Sequence, residues 1–383
     1  MGRMIRLLFT AACVLFAASN AVAQARRFVY PAPPPDAYRV VTDVEFGKSS
    51  SGEPLRMDVY RPSSGTRHPT LVFFNIATGA ERSNPFYAAW AEIAASKGIT
   101  AILPDLGMES FVQDFVALHP FLARPMSGDT GIDPTRVAVY AGSGNVFRAL
   151  PIVQDRRSTV VKSAVMFYGG ADVSNFRPDL PVLIVRAGLD RPALNTIIAS
   201  LVSTAVSQNA PVTLLNHAGG RHAFEMVNDD DATRRVIDQA LEFVRVTTSP
   251  EYQAAIRKGV AEATAAGHVT AGRTKEAADA YAGLVAARPD DASLRLAYGE
   301  ALLGDRQFAA ACAELETLKE KGLGYRDLGM PAARACMQKG DAEAAIAWLQ
   351  SIPSRFRPTS LRNDPIFAAI RDRAEFQALF ESR

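Results

Sequence analysis

The stretch Arg136-Val-Ala-Val-Tyr-Ala-Gly-Ser-Gly-Asn-Val-Phe-Arg148 carries the signal that decides the fold of this chain. A run of β-forming residues, Val137 to Tyr140, gives way to small residues around Ser143, and apolar residues at helical spacing follow. The stretch therefore predicts a strand, a sharp corner at Ser143 and a helix. A serine on such a corner is held in a strained backbone conformation that points its hydroxyl away from the sheet, as a nucleophile requires.

The positions two residues before and two residues after Ser143 must be small, because the strand and the helix cross closely there. The usual pattern has glycine at both positions, whereas this chain has Ala141 and Asn145. Asparagine tolerates a left-handed backbone better than most residues, so the exchange can be accommodated. Taken alone, these residues also fit an ordinary Gly-Ser turn after a buried strand, and the rest of the chain has to separate the two interpretations.

Short apolar runs alternate with amphipathic stretches between residues 38 and 247. The apolar runs predict strands at Val41–Phe46, Leu55–Tyr60, Leu71–Asn75, Thr100–Leu103, Val137–Tyr140, Val161–Phe167, Val182–Val185 and Val212–Leu215. Helical patterns fall between them at Phe86–Ser96, Phe111–Leu122, Leu194–Gln208 and Asp231–Val246. The alternation predicts an α/β fold with a doubly wound, mostly parallel sheet, in which the first two strands form an antiparallel edge.

Two later strands end in residues that complement a serine nucleophile. The segment Pro181-Val-Leu-Ile-Val-Arg-Ala-Gly-Leu-Asp190 is a buried strand that ends in Gly-x-Asp, and the strand that begins at Val212 leads into a glycine-rich loop with His222. A serine nucleophile needs a base, an acid that orients the base, and backbone donors for the developing oxyanion. Ser143, Asp190 and His222 follow one another in that order, each just past the carboxyl end of a strand.

The chain resembles the α/β-hydrolase superfamily over about residues 41–246. The motifs that carry the resemblance are the corner at Ser143, the strand that ends at Asp190, and the loop segment Gly220-Arg-His-Ala-Phe224. The likeness is to the dienelactone-hydrolase-like and small esterase branches of this superfamily, and we assign residues 38–248 to this domain. It implies that Ser143 attacks an acyl carbonyl, that His222 removes the serine proton, and that Asp190 orients the imidazole, with no metal or organic cofactor. The rival for the acid is Asp172, and the rival for the base is His217.

The resemblance also implies two backbone donors for the oxyanion. The N–H of Gly144 is one, and the N–H of Ile76, in the loop after the third predicted strand, is the other. Many esterases have His-Gly in that loop, whereas this chain has Asn75-Ile-Ala-Thr-Gly79. A backbone donor survives every side-chain change except proline, so we expect the departure to alter substrate fit more than the reaction.

Only about ten residues separate Gly170 from Pro181, where larger relatives insert a lid domain. A lid does not fit into that length, so we expect an open cleft that suits short or soluble acyl groups. Arg148, near the start of the helix after Ser143, is either a contact for an anionic substrate or a member of a structural ion pair.

Beyond Pro250 the strand signals end, and the sequence becomes alanine-rich and repetitive. Three sets of residues recur at intervals of 34: Ala277, Ala311 and Ala345; Tyr281, Leu315 and Leu349; Leu284, Leu318 and Ile352. Gly272 and Gly340 mark the turn between helices at the matching phase, with Arg306 in the middle copy. A period of this length resembles the tetratricopeptide repeat, so we predict that residues 249–383 form a helical-repeat domain with a possible protein partner.

Cys312 and Cys336 fall in helices that such an array packs together. We expect two small buried thiols, and a disulfide in an oxidising compartment is the alternative.

The N-terminus has the layout of a secretory signal peptide. Arg3 and Arg6 precede an apolar run from Leu7 to Ala18, and Ala21-Val-Ala23 offers a small-x-small cleavage site. This run is too short to span a bilayer, and no later apolar stretch is long enough to do so. We predict that residues 1–23 are removed and that the chain is exported, to the periplasm or the cell exterior. Lipidation at Cys13 is the alternative.

The charge balance excludes some classes of partner. The chain has 42 Lys and Arg against 40 Asp and Glu, which favours neither a nucleic-acid nor a membrane-surface partner. The sequence therefore predicts an exported serine hydrolase that cleaves small carboxylic esters and is joined to a helical-repeat module. Two alternatives stay open: a catalytically inactive hydrolase fold that serves as a binding scaffold, and a peptidase or acyl transferase that uses the same triad.

Overall fold

An eight-stranded sheet dominates the first part of the chain. The computed structural model describes residues 28–75, 81–124, 131–319 and 325–381. The strands are β1 Tyr38–Lys48, β2 Pro54–Pro62, β3 His68–Phe74, β4 Thr100–Pro104, β5 Ile132–Gly142, β6 Val161–Phe167, β7 Val182–Ala187 and β8 Val212–His217. Their order in the sheet is β1-β2-β4-β3-β5-β6-β7-β8. Only the pairings of β2 are antiparallel. The sheet is therefore mostly parallel, with an antiparallel edge at β1 and β2, as the sequence predicts.

Helices cover both faces of this sheet. They are α1 Pro85–Ser96, α2 Phe111–Leu122, α3 Gly144–Gln154, α4 Pro192–Ser207, α5 Phe224–Val227 and α6 Asp231–Thr247. One cluster of buried apolar residues joins the sheet to α2, α3 and α4. A second cluster joins the opposite face to α1, α5 and α6. The arrangement is doubly wound and consistent with the α/β-hydrolase fold.

The central strands explain why the chain folds in this way. Val137 and Val139 of β5 lie in one apolar cluster, and Ala138 and Tyr140 lie in the other. A strand that is covered on both faces must be apolar at consecutive positions, which is the pattern that the sequence shows. Because β5, β7 and β8 run parallel, their carboxyl ends meet at one edge of the sheet.

The chain divides into two compact units, residues 1–256 and 257–383. The division falls within helix α7, Pro250–Thr270, a little beyond the predicted boundary after residue 248. The helices that follow are α8 Thr274–Ala287, α9 Ala292–Gly304, α10 Phe308–Glu316, α11 Tyr325–Lys339, α12 Ala342–Ser351 and α13 Ala374–Gln377. Ala277, Ala311 and Ala345 are all buried in the core of the second unit. The region is helical as predicted, and its tetratricopeptide type stays a prediction.

The turns between the repeated helices share a backbone conformation. Gly272, Arg306 and Gly340 have φ angles of 68°, 62° and 94°. In this left-handed region a Cβ approaches the neighbouring carbonyl oxygen, so a residue other than glycine is strained. Arg306 is therefore the strained member of the series.

We expect Arg306→Gly to stabilise the second unit by about 0.5–1 kcal/mol, because glycine removes this strain. Gly340→Ala should have the opposite effect, of similar size, because it introduces the strain. Thermal unfolding of the full-length chain measures both changes. Arg306→Ala, which keeps a Cβ, is the matched control and should leave the unfolding midpoint near that of the wild type. A lower midpoint for Arg306→Gly would contradict the argument.

Cys312 in α10 and Cys336 in α11 form a disulfide, with their Cα atoms 4.9 Å apart. The expectation of two free thiols is therefore wrong, and the alternative holds. A disulfide requires a separation of about 4.4–6.8 Å between the Cα atoms, and the packing of these two helices provides it. Helical periodicity shows that both cysteines face the core, but it does not show that they face each other.

The predicted signal peptide, residues 1–23, lies outside the described residues, and so does Cys13. None of the described helices combines the length and the apolar character that crossing a bilayer demands.

Candidate active site

Ser143 occupies the corner between β5 and α3. Its φ and ψ angles are 55° and −129°, which is the strained conformation that the sequence predicts for this position. The backbone N–H of Ser143 donates to the carbonyl oxygen of Phe167 at 2.9 Å, so the end of β6 fixes the corner. A Cβ on Gly169 would lie 2.3 Å from the carbonyl oxygen of Ser143, and only glycine permits this approach.

The two residues that depart from the usual elbow pattern both fit their surroundings. Ala141 is fully buried in the core beneath the corner. The Asn145 side chain donates from Nδ2 to the Tyr87 hydroxyl at 2.9 Å, which ties the first turn of α3 to α1. Asn145 therefore makes a specific contact that glycine could not make.

His222 reaches Ser143 from the loop after β8. Its Nε2 lies 2.8 Å from the Ser143 Oγ. This loop is held against the loop after β7, because the N–H of Leu189 donates to the carbonyl oxygen of Gly220 at 2.8 Å. Ala223, the next residue after the histidine, has a φ of 55° and is the N-cap of α5. The loop therefore has a defined conformation that presents the imidazole to the serine.

Asp190 contacts the other edge of the imidazole. Its Oδ2 lies 2.6 Å from His222 Nδ1, and its side chain is 1% exposed. The second oxygen, Oδ1, accepts from the backbone N–H of Arg191 at 2.7 Å. A buried carboxylate needs such partners, and here both oxygens have one.

These three side chains form one chain of hydrogen bonds. Because Asp190 can only accept when it is ionised, His222 Nδ1 carries a proton and Nε2 is left to accept from the Ser143 hydroxyl. The arrangement can remove the hydroxyl proton as the oxygen attacks an electrophile, and it can return that proton to a leaving group. The structure thus brings together all three residues that the sequence selected.

The rival residues lie elsewhere. Asp172 is exposed on the segment after β6, and the side chains that hydrogen-bond to His222 among the described residues are Ser143 and Asp190. His217 is buried at the end of β8, where its Nε2 lies 2.9 Å from the Thr233 hydroxyl. Burial lowers the pKa of His217, which suits a neutral structural histidine.

The predicted oxyanion donors are described only in part. Gly144 is the first residue of α3, so its N–H belongs to the unpaired donors at the positive end of a helix. Ile76, the second predicted donor, lies outside the described residues. Asn75, just before it, is 1% exposed, and its amide oxygen and nitrogen have no hydrogen-bond partner among the described residues.

A cavity of about 350 Å³ lies next to the corner, between α3, the segment after β6 and α4. Its walls are mostly apolar, and Asp172 is the one charged residue among them. It is lined by Phe147, Gly170, Ala171, Asp172, Val173, Ile197, Ser200, Leu201 and Thr204. Ser143 and His222 do not line this cavity; Phe147, one turn of α3 after Ser143, is the lining residue that is nearest to the serine in the sequence.

Arg148 does not line this cavity. Its guanidinium lies 6.0 Å from the centre of the Phe111 ring, and no ion pair with it occurs in the described part of the chain. Among the described residues Arg148 therefore contacts an aromatic ring, and both roles suggested for it stay predictions.

Sequence reasoning missed two residues behind the imidazole, Tyr168 and Glu225. The Tyr168 ring centre lies 4.9 Å from that of His222, and Glu225 is fully buried beside the Tyr168 hydroxyl. An acidic residue between Phe224 and Met226, three residues after the histidine, was the available signal. The role of Glu225 depends on its contact with Tyr168, at the end of β6, and a contact between such distant residues cannot be read from the local sequence.

No family model matches the chain, and no curated protein matches it. Among solved structures it resembles the Pyrobaculum calidifontis esterase, with a TM-score of 0.47, 17% identity, and coverage of 60% of this chain and 90% of that one. It also resembles brefeldin A esterase, a bacterial homologue of human hormone sensitive lipase (TM-score 0.48, 13% identity, 63% and 86% covered). For bacterial heroin esterase the TM-score is 0.44 and the identity 16%, with 61% and 90% covered. Likenesses at this level do not transfer an activity, which has to rest on the site.

Proposed function

We propose that the protein is a serine hydrolase of the α/β-hydrolase superfamily that cleaves carboxylic esters. The observation that carries the proposal is the unbroken chain of hydrogen bonds from Ser143 Oγ through His222 to the buried Asp190. A serine held at a strained corner, with an imidazole at its hydroxyl and a carboxylate behind the imidazole, is costly to maintain unless it is used.

The reaction would proceed in two steps through an acyl-enzyme. Ser143 Oγ attacks the carbonyl carbon while its proton passes to His222 Nε2, and the imidazolium then protonates the departing alcohol. A water molecule, deprotonated by the same imidazole, cleaves the acyl-enzyme and restores the serine. Asp190 keeps the imidazole in the required tautomer, and the N–H of Gly144 would donate to the oxyanion.

The size of the cavity favours small substrates. A volume of about 350 Å³ suits an ester with a short apolar group, and the brief segment between β6 and β7 fits a small esterase without a lid, similar to dienelactone hydrolases. A catalytically inactive scaffold would not require the hydroxyl, the imidazole and the carboxylate to keep mutual hydrogen-bond geometry. We further propose that the chain is exported and that its helical unit holds a protein partner.

The test of the proposal is covalent labelling with a fluorophosphonate, which reacts with activated serines. Wild-type protein should be labelled at Ser143, as mapped by mass spectrometry of the digested protein, and Ser143→Ala should not be labelled. Ser174→Ala, which removes an exposed serine on the segment after β6, is the control and should label like the wild type. Labelling at another serine, or none, would contradict the assignment.

A larger side chain in the cavity should shorten the acyl groups that the enzyme accepts. Thr204 lines the cavity from α4, so Thr204→Phe should lower kcat/KM for a hexanoate ester by roughly tenfold while acetate hydrolysis stays near the wild-type rate, since each buried CH₂ group is worth about 0.8 kcal/mol. Ser203→Phe, on the same helix but not in the cavity wall, is the matched control. Equal losses for both esters would place the acyl group elsewhere.

A further inference from the structure

Tyr168 has an unusual place behind the proposed active site. It follows β6 directly, with a φ of 34°, a strained value for an aromatic residue. Its backbone N–H donates to the carbonyl oxygen of Val185 at 2.7 Å, and its ring lies against His222 at a tilt of 59°. The two strands thus fix the Tyr168 ring beside the imidazole.

Glu225 determines where the Tyr168 hydroxyl points. Its side chain is fully buried, and its Oε1 accepts from the Tyr168 hydroxyl at 3.1 Å and from the Tyr140 hydroxyl at 3.3 Å. Its Oε2 has no partner of good hydrogen-bond geometry among the described residues, although the nearby Trp90 indole N–H lowers the pKa of the carboxyl group, and no cation among these residues forms an ion pair with Glu225. A buried carboxyl group in such surroundings destabilises the fold when it is ionised, which makes Glu225 a candidate for a functional role.

We propose that Tyr168 and Glu225 are positioning residues for His222: Glu225 holds the phenol so that the Tyr168 ring supports the imidazolium that forms when Ser143 is deprotonated. This inference rests on the proposed function. The proton moves only from Ser143 Oγ to His222 Nε2 as the bond from Oγ to the acyl carbon forms, and neither Tyr168 nor Glu225 gives up or takes a proton. An aromatic face and a nearby carboxylate both stabilise a cation, more strongly where water is excluded.

The stabilisation of the His222 imidazolium should depend on pH, because Glu225 itself gains or loses a proton. Burial raises the pKa of Glu225 to about 7, and the hydrogen bonds from Tyr168 and Tyr140 oppose that rise. The other titratable groups around the pair are Tyr140 on β5, Tyr168 after β6 and Tyr87 on α1, and burial raises the pKa of Tyr140 and of Tyr168 well above the ordinary value. Near neutral pH the titrating member of the cluster is therefore Glu225. Above pH 7 it adds a negative charge behind the imidazolium, and below pH 7 it does not.

The deciding experiment compares Glu225→Gln with the wild type over a range of pH. Glutamine keeps the shape and an acceptor oxygen but cannot ionise. We expect kcat/KM for a short ester to fall by about tenfold at about pH 8.5, where Glu225 is charged, and by less than about twofold at about pH 5.5, where it is neutral. A change that only loosens the fold would lower both values alike.

Stability gives a second readout that needs no turnover. Because the pKa of Glu225 is raised in the folded state, the unfolded chain loses this proton first, and stability falls as the pH rises from about 4.5 to about 7. Glu225→Gln should therefore raise the thermal midpoint more at about pH 8.5 than at about pH 5.5. A midpoint that rises while the rate falls separates a functional role from a structural one.

Tyr140→Phe is the matched control. It removes the second hydroxyl that donates to Glu225 Oε1. The Tyr140 ring, however, packs on Phe73, Trp90 and Phe167 and not on His222. Its rate should stay within about threefold of the wild type at both pH values. Tyr168→Phe keeps the ring but loses the hydrogen bond that holds it, while Glu225 can still ionise, so its rate should fall below that of Tyr140→Phe at both pH values.

A Glu225→Gln rate equal to that of the wild type at high pH would overturn the inference, and so would an equal loss at both pH values. If Glu225→Gln does not fold, Tyr168→Phe is compared with Tyr140→Phe in its place, and equal rates for these two variants would overturn the inference. Failure of the proposed function is distinguishable, because wild-type Ser143 would then not react with the fluorophosphonate, whereas the pH-dependent stability of Glu225→Gln would be unaffected.

Discussion

Ser143→Ala and His222→Ala should each lower the rate of ester hydrolysis by about four to six orders of magnitude. In the proposed reaction Ser143 supplies the atom that forms the acyl bond, and alanine offers no substitute. Without His222 the hydroxyl keeps its proton, because no other base lies at the Ser143 Oγ among the described contacts. Rates are measured with a p-nitrophenyl ester of a short acid, and circular dichroism confirms that each variant is folded.

The double variant Ser143→Ala/His222→Ala should be little slower than either single variant. The two residues act on the same proton transfer, so the second substitution removes an interaction that the first has already made useless. Ser174→Ala provides the baseline, with an expected change within about twofold, since surface substitutions away from a site have small effects. Full activity in Ser143→Ala would require another nucleophile and would refute the mechanism.

The sheet could be predicted because its strands are buried on both faces and separated by helices. Such strands appear as continuous apolar runs, so Val137–Tyr140 and Val161–Phe167 stand out without any knowledge of their neighbours. The parallel arrangement then places the ends of the strands at one edge, which is why Ser143, Asp190 and His222 could be selected from three distant segments. The positions of these three residues therefore follow from the order and direction of the strands more than from the local sequence around each residue.

Contacts between distant side chains could not be predicted in this way. From the sequence, Asn145 could be interpreted only as a tolerated replacement of glycine. In the structure its side-chain amide donates to the Tyr87 hydroxyl. The contacts of Tyr168 and Glu225 form only when α5 packs against β5 and the end of β6, so neither residue could be selected from the sequence. The disulfide between Cys312 and Cys336 likewise depends on the rotation of two helices about their axes, which periodicity leaves undetermined.

Asp190→Asn should lower the rate of ester hydrolysis by about three to four orders of magnitude, and Asp172→Asn should change it by less than about threefold. Asp190 is buried, accepts from His222 Nδ1 at 2.6 Å and has its other oxygen fixed by the backbone N–H of Arg191. Asparagine in its place can turn its NH₂ group towards Nδ1, which moves the imidazole proton to Nε2 and removes the acceptor that Ser143 needs.

The two aspartates form a matched pair, because each follows a strand of the same sheet and each variant changes one charge without changing size. Asp172 lies in the wall of the cavity and has an exposed side chain, and in the described part of the chain it is not a hydrogen-bond partner of His222. Its neutralisation should therefore alter the preference among substrates, and KM more than kcat, while Asp190→Asn should lower kcat. Steady-state kinetics of both variants with one short ester separates these outcomes. A crippled Asp172→Asn beside a fully active Asp190→Asn would mean that the acid follows β6, and the pairing of His222 with Asp190 would then have no part in the reaction.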